Sequence, residues 1–153
     1  MKPANVFLHL FTAAVFLSSG SAMAADRKTY SGSMCQPNQP SNQITYLNGS
    51  AFNLSTSRIS VTCPIVRDNT QNTDGTRSAS VIVQSLGGQS VTCSLFSYDK
   101  NGINIASKTA STTSTAPFSL NVDVNAGAVL GIYWINCSLP PNSRVLNYDI
   151  DEF

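Results

Sequence analysis

The sequence has almost no histidine. Its single imidazole belongs to His9, inside a predicted secretory leader of residues 1–24, so the mature domain expected at residues 25–153 has none. Histidine is the usual general base near neutral pH and the commonest metal ligand. Its absence excludes Ser-His-Asp catalysis and histidine-ligated zinc, copper and iron sites. We therefore predict a protein that is not an enzyme and that binds no cofactor.

The leader is predicted from three features of the first residues. Lys2 gives a positive start, residues 6–17 form an apolar run, and Ala22-Met23-Ala24 is a small-x-small cleavage site. The apolar run is too short to span a membrane, and cleavage before Ala25 removes it. These features predict a secreted or periplasmic protein whose mature chain has no membrane span.

Charge is also scarce. Charged residues make up 11% of the sequence, and nine Lys and Arg, one of them Lys2 of the leader, stand against eight Asp and Glu. No basic block is present that could bind nucleic acid or an anionic membrane. Valine, isoleucine and aromatic residues recur throughout, so the domain has enough apolar material to form a core.

The periodicity of the sequence predicts strands. No window keeps a helical period, whereas short alternating segments recur between turn signals such as Asn48-Gly49, a favoured hairpin turn. A polar, Pro-containing stretch at 25–40 is expected to be irregular. The predicted strands cover residues 44–47, 51–54, 58–66, 79–86, 90–98, 103–109, 118–124, 129–139 and 144–153. Eight or nine strands of this spacing predict one all-β domain, an antiparallel β-sandwich of jelly-roll type.

Four cysteines lie outside the leader: Cys35, Cys63, Cys93 and Cys137. An even number in an exported chain predicts two disulfides, with three possible pairings. A metal site is disfavoured because no C-x-x-C pair or histidine accompanies them. We favour Cys35–Cys63 with Cys93–Cys137.

The pairing of Cys93 with Cys137 fixes a register between two antiparallel strands. Counting outward along both strands places Phe96 opposite Trp134, on the face that does not carry the cysteines. The candidate ligand-binding residues on that face are Trp134, Phe96, Tyr98 and Asn136. A disulfide that joins Cys93 to either of the other cysteines would remove the basis of this register.

Two interpretations of that aromatic face stay open. An exposed aromatic patch with hydroxyl and amide neighbours is typical of a sugar-stacking platform or of a contact with another exported protein. Tryptophan and phenylalanine are more often core residues, which favours the reverse arrangement, with the aromatic face buried and the disulfide outside. The general expectation is action by binding or surface association. The specific alternatives are a carbohydrate-binding module and a structural subunit of an extracellular assembly.

The loop at 68–75 offers a weak calcium site. Asp68, Asn72 and Asp74 supply oxygen ligands, but their spacing does not match an EF-hand. The simpler interpretation is a surface loop whose Asx side chains bond their own backbone. Arg67 is expected to form a local ion pair with Asp68, with recognition of a ligand as the alternative.

A carboxylate group ends the chain at Asp149, Asp151 and Glu152. Paired carboxylates are the main remaining route to hydrolysis in a protein without histidine. We expect these three side chains to solvate the final strand instead.

The order of the cysteines and their neighbours resembles a known class. Its elements are Cys35 soon after the leader, Cys63-Pro64 followed by Arg67-Asp68, Val91-x-Cys93, Cys137-Ser-Leu-Pro140 and an acidic C-terminal strand. Together they resemble small exported bacterial β-sandwich proteins of uncharacterised function. The resemblance implies the sandwich fold and a place in the bacterial envelope or outside the cell. It implies no activity and no site residues.

Overall fold

The computed structural model describes residues 26–40, 43–67, 77–124 and 126–152, so the predicted leader lies outside the described residues. The described residues form eleven strands and one three-residue 3-10 turn, Gly32–Met34. The strands are β1 (Asp26–Ser31), β2 (Gln36–Pro37), β3 (Ile44–Leu47), β4 (Ser50–Asn53), β5 (Ile59–Pro64), β6 (Arg77–Ser85), β7 (Val91–Tyr98), β8 (Asn104–Thr112), β9 (Phe118–Asn121), β10 (Ile132–Leu139) and β11 (Ser143–Glu152). This part of the chain has no helix of the length and apolarity that crossing a bilayer requires.

The strands form two antiparallel sheets. Sheet A has the order β3-β4-β11-β6-β9, with β1 also paired to β11, and sheet B has the order β2-β5-β10-β7-β8. The inner faces of the two sheets form one continuous core. The predicted all-β sandwich is therefore confirmed, and so are both favoured disulfides, Cys35–Cys63 and Cys93–Cys137.

The core follows from strict alternation along the strands. In β7 and β10 every second side chain is buried, as a half-buried strand requires. Leu95 and Ile135 of sheet B are fully buried together with Val81 and Ile150 of sheet A. Burying each such side chain contributes roughly 1.5–3 kcal/mol, which makes this interface the main source of stability.

The hairpin between β3 and β4 forms as predicted. Asn48 and Gly49 both have positive φ, 49° and 77°. Two successive residues of this conformation are what a tight two-residue hairpin turn needs.

The N-terminal segment differs from the prediction. It was expected to be irregular, but it forms β1 and β2, which raise the strand number to eleven. Along its whole length β1 pairs with β11, and the ring of Tyr30 stacks on that of Tyr148 at 5.0 Å. The sequence of β1 is polar and carries no alternating apolar signal. Its strand forms because the edge of β11 supplies hydrogen-bond partners from the far end of the chain.

Candidate functional site

The aromatic candidates lie on the outer face of sheet B. Phe96, Tyr98 and Trp134 are half-buried there, whereas Cys93 and Cys137 are 0% exposed on the inner face. The interpretation that buries the aromatic face and leaves the disulfide outside is therefore wrong. The physical reason is that the cysteine face of sheet B packs against the aliphatic inner face of sheet A. We use the name aromatic face for the outer face of sheet B.

The register of β7 and β10 is the predicted one. Cys93 and Cys137 stand directly opposite each other, so the disulfide joins a register pair. The pairs that follow on the aromatic face are Ser94 with Asn136, Phe96 with Trp134 and Tyr98 with Ile132. All four predicted ligand-binding residues therefore lie on one face of two adjacent strands.

The three aromatic rings form one cluster around Tyr98. Its ring centroid lies 4.7 Å from that of Trp134 and 6.2 Å from that of Phe96. The ring planes are tilted by 43° and 40°, within the range that favourable aromatic pairs adopt. Ile132, which is 50% exposed, extends the apolar surface beside Tyr98. The three rings and Ile132 therefore form one apolar cluster on this face.

Gly131 directly precedes β10, beside the aromatic cluster. Gly131 donates its N–H to the carbonyl oxygen of Ala128 at 3.0 Å. A Cβ at Gly131 would collide with the carbonyl oxygen of Tyr98. Only glycine therefore lets β10 begin close enough to place Ile132 opposite Tyr98.

Arg67 stabilises the turn between Ala128 and Gly131 through hydrogen bonds. Its Nη1 donates to the carbonyl oxygens of Ala128 at 2.8 Å and Gly131 at 2.9 Å. Its guanidinium carbon lies 4.8 Å from the centre of the Tyr133 ring, in the range of a cation–π contact. These contacts give Arg67 a structural role at the start of β10. Its predicted ion-pair partner, Asp68, lies outside the described residues.

A row of polar side chains crosses the aromatic face next to the rings. One member comes from each strand of sheet B, and we call them the polar row: Gln36, Thr62, Asn136, Ser94 and Thr109. The Ser94 and Thr109 hydroxyl oxygens are 2.7 Å apart, and Asn136 Nδ2 donates to Thr62 Oγ1 at 3.4 Å. Thr62 Oγ1 in turn donates to Asn38 Oδ1 at 2.6 Å. Each hydroxyl has one donor and two acceptor sites, so these internal bonds still leave an acceptor site on every hydroxyl for a ligand.

The sequence predicted only part of the polar row. Asn136 was predicted as a ligand-binding residue, but Gln36, Thr62 and Thr109 were not. Alternation with buried Val61 and Cys63 already pointed Thr62 outward. What was missing was the order of the strands, because pairing of β5 with β10 brings Thr62 beside Asn136.

A recess lies at the β5 edge of the aromatic face. It has a volume of about 460 Å³ and is lined by residues that include Asn38, Arg58 and Ser60. The backbone N–H of Asn38 donates to the carbonyl oxygen of Ser60 at 2.9 Å, and Arg58 Nη1 donates to Ser138 Oγ at 3.2 Å. The recess therefore adjoins the hydroxyl-bearing end of the face, opposite to the aromatic cluster.

Of the terminal carboxylates, Asp149 is buried and not solvated as expected from the sequence, and the side chain of Glu152 lies outside the described residues. Asp149 is 8% exposed and lies on the outer face of sheet A, where it accepts a 2.8 Å bond from Arg27 Nη2. Ser80 Oγ lies 3.1 Å from both carboxylate oxygens. Asp149 of β11 therefore connects its own strand to β1 and β6. An oxygen of the Asp151 carboxylate lies 4.0 Å from Arg27 Nε.

The predicted calcium ligands, Asp68, Asn72 and Asp74, lie outside the described residues. Within the described ranges, no group of three or more His, Cys, Asp or Glu side chains is placed to hold a metal ion. The weak calcium site stays a prediction.

No protein-family model and no curated protein sequence matches this chain. Several solved structures resemble it in fold, among them the following three. The CBM36-1 domain of a multidomain xylanase from the hindgut metagenome of Trinervitermes trinervoides matches with a TM-score of 0.50 and 12% identity, over 84% of this chain and 98% of that domain. The Podospora anserina GH26-CBM35 β-(1,4)-mannanase matches with a TM-score of 0.50 and 12% identity, over 83% of this chain and 28% of that one.

The third is the exo-β-1,3-galactanase of Phanerochaete chrysosporium, with a TM-score of 0.51 and 14% identity over 82% of this chain. This chain spans 29% of that enzyme and 28% of the mannanase. At such low identity the likeness concerns the fold. The chain is similar in fold to the β-sandwich modules of carbohydrate-active proteins.

Proposed function

We propose that this protein is an exported, non-enzymatic carbohydrate-binding protein and that the aromatic face is its binding surface. The observation that carries the proposal is the position of Trp134. It belongs to a cluster of aromatic rings on an outer sheet face, with Asn136 two residues away on the same face. The two disulfides suit an oxidising compartment, in agreement with the predicted leader.

The face offers both kinds of contact that a sugar needs. Trp134, Tyr98 and Phe96 present ring surface for the apolar face of a pyranose, and the polar row presents hydroxyl and amide groups for its hydroxyls. The two sets are adjacent, because residues two positions apart on a strand are separated by about 6.8 Å. One sugar ring stacked on Trp134 can therefore reach Asn136 and Ser94.

The absence of catalysis is part of the proposal. No carboxylate or imidazole belongs to the aromatic cluster or to the polar row. Asp149, the most buried carboxylate of the terminal group, is held by Arg27 on the other sheet. Binding without turnover is therefore the function that these side chains support.

The experiment is affinity gel electrophoresis of the mature protein through xylan, mannan, galactan and β-1,3-glucan, with a pull-down on cellulose. Trp134→Ala should weaken binding about thirtyfold, because truncating an aromatic anchor typically costs roughly 2 kcal/mol of binding free energy. Phe118→Ala is the matched control, since Phe118 is 49% exposed on β9 of the other sheet. It should leave binding unchanged.

Asn136→Ala is a second test of the binding surface, in case Trp134→Ala fails to fold. It removes one outward amide whose contact with Thr62 is long, so the core stays intact. It should also weaken binding to the polysaccharide that the parent protein retains. Failure of the parent protein to bind any of the five polysaccharides, or full retention by folded Trp134→Ala, would overturn the proposal.

A second candidate is a subunit of an extracellular assembly. It is favoured by apolar side chains at the Tyr98 end of sheet B that are half or more exposed, namely Ile103, Leu130 and Ile132. Sedimentation of the purified mature protein tests it. Concentration-dependent oligomers that Ile132→Ser abolishes would support an assembly, and a monomer at every concentration would argue against it.

A further inference from the structure

The aromatic face is free of charged side chains along the whole polar row and the aromatic cluster. Its strands bring outward only hydroxyl, amide, aromatic and aliphatic groups between Arg58 at one end and Asp99 at the other. Arg58 is hydrogen-bonded within the protein at that end of the sheet, because its Nη1 donates to the Ser90 carbonyl oxygen at 3.0 Å. Asp99 and Lys100 belong to the turn that follows Tyr98.

The other sheet of the same molecule is different. Its outer face carries Arg27, Asp149 and Asp151, with an ion pair of 2.8 Å between the first two. Low overall charge therefore does not by itself explain the neutral aromatic face. The charged groups lie on sheet A, at the ends of sheet B and, in the case of Lys108, on the inner side of β8.

Lys108 supports the same conclusion. It lies on β8, within sheet B, but it stands opposite the buried Leu95 and so belongs to the inner side of that strand. Its neighbour Thr109 is the β8 member of the polar row on the outer side. The lysine of this strand thus lies on the side away from the aromatic face.

The polar row gives the neutral face its length. It takes one residue from each of five strands, so with neighbouring strands about 4.8 Å apart it extends roughly 19 Å. This is long enough to contact several consecutive sugar units of a chain that crosses the strands. Ser94 and Asn136 occupy its centre, next to Phe96 and Trp134.

We propose that the aromatic face selects an uncharged polysaccharide, bound as a chain that crosses the strands of sheet B, and that it needs no divalent cation. This inference rests on the carbohydrate-binding function proposed above. A sugar hydroxyl can replace its hydrogen bonds to water with bonds to Ser94, Asn136 or Thr62 at little cost in free energy. A carboxylate placed on the same row loses water and meets no cationic partner, which is costly.

The test compares each polysaccharide of the panel in two derivatives of equal degree of substitution, one hydroxyethylated and the other carboxymethylated. These differ in charge but keep the same backbone. The parent protein should bind the carboxymethylated form about tenfold more weakly, because an unpaired charge costs at least about 1.4 kcal/mol. Binding of the neutral form should change less than about twofold between roughly 0.05 and 0.5 M NaCl, or on addition of EDTA.

Two variants sharpen the comparison. Ser94→Lys places a cation in the centre of the polar row and should raise affinity for the carboxymethylated form. Thr109→Lys makes the same change on the exposed edge strand, in case the central substitution disturbs folding. Ser119→Lys is the matched control, because Ser119 is exposed on sheet A. It should change neither affinity.

The outcomes separate this inference from the function on which it rests. Equal or tighter binding of the carboxymethylated form by the parent protein, or loss of neutral binding in EDTA, overturns the selectivity while carbohydrate binding stands. Binding of no polysaccharide in either form overturns the proposed function itself. Retention of the neutral form alone, with acidic binding gained in Ser94→Lys or Thr109→Lys, supports the inference.

Discussion

The hydroxyl of Tyr148 in sheet A donates a 2.7 Å hydrogen bond to the carbonyl oxygen of Pro64 in sheet B. Pro64 stands opposite Trp134 in the register of β5 and β10. The bond therefore joins the two sheets at the strand end that borders the aromatic cluster. Tyr148 is fully buried, and its pKa is raised by that burial, with Tyr30 adding to the shift.

Tyr148→Phe should lower the free energy of unfolding by about 1 kcal/mol, the usual contribution of a neutral hydrogen bond. The ring packing against Tyr30 stays, so the loss measures the hydroxyl. Urea denaturation gives the value. Tyr46→Phe is the control. It also removes a hydroxyl that donates to a carbonyl oxygen, that of Cys35 at 3.1 Å, but the Tyr46 side chain is 46% exposed. A Tyr148→Phe protein as stable as its parent would contradict the assignment.

The raised pKa of Tyr148 also predicts an alkaline effect. The unfolded chain loses the phenol proton near pH 10.0 while the folded chain retains it. The contribution of Tyr148 is therefore complete below that pH and is lost as pH rises towards the folded pKa. Stability curves measured above pH 10.0 should fall more steeply for the parent protein than for Tyr148→Phe. Parallel curves would be the opposite result.

Asp99 predicts an effect at acid pH. Its carboxylate accepts bonds of 2.8 Å from the backbone N–H groups of Ile103 and Asn101, and the Ile103 bond is the main cause of a pKa below 3.8. The ionised Asp99 side chain therefore stabilises the turn above pH 3.8, and this stabilisation is lost as the pH falls through the lower pKa of the folded state. The amide chemical shifts of both partners should titrate together below 3.8, and Asp99→Asn should abolish that transition. A midpoint at or above 3.8 would refute this account.

Asp149 tests the structural assignment of the terminal carboxylates. Its side chain is 11% exposed and that of its partner Arg27 is 60% exposed. Asp149→Asn should cost about 1 kcal/mol of stability, the modest size being due to the solvent around Arg27. Polysaccharide binding should not change, because Asp149 belongs to the other sheet. Loss of binding at unchanged stability would give this carboxylate a functional role instead.

Lys108 is expected to protect an edge. In sheet B the strand β8 is terminal, and a lysine on its inner side disfavours pairing with a strand from another molecule. Lys108→Val should therefore self-associate as concentration rises, as followed by sedimentation velocity. Lys100→Val, in the exposed turn, is the control and should behave like the parent protein. Identical sedimentation of Lys108→Val and the parent would remove this role.

The sequence by itself determined nine of the eleven described strands and, through one favoured disulfide, the register of the central pair. Alternation predicted β7 and β10, Asn48-Gly49 predicted a hairpin turn, and the Cys93–Cys137 pairing placed Phe96 opposite Trp134. These features are local, or they depend on one covalent link. Period-two alternation and the geometry of a tight turn need no information from the rest of the chain.

Only the tertiary structure decided which face of sheet B is inside. Both faces of β7 carry apolar side chains, Leu95 on one and Phe96 on the other, so alternation alone leaves two solutions. The choice depends on the second sheet, because the smaller cysteine and aliphatic side chains pack against it and leave the rings outside. The same holds for β1, whose polar sequence becomes a strand only where β11 offers an edge. Burial and strand pairing depend on partners distant in sequence, and here these partners place the predicted aromatic face on the outside of the sandwich, with its rings half-buried.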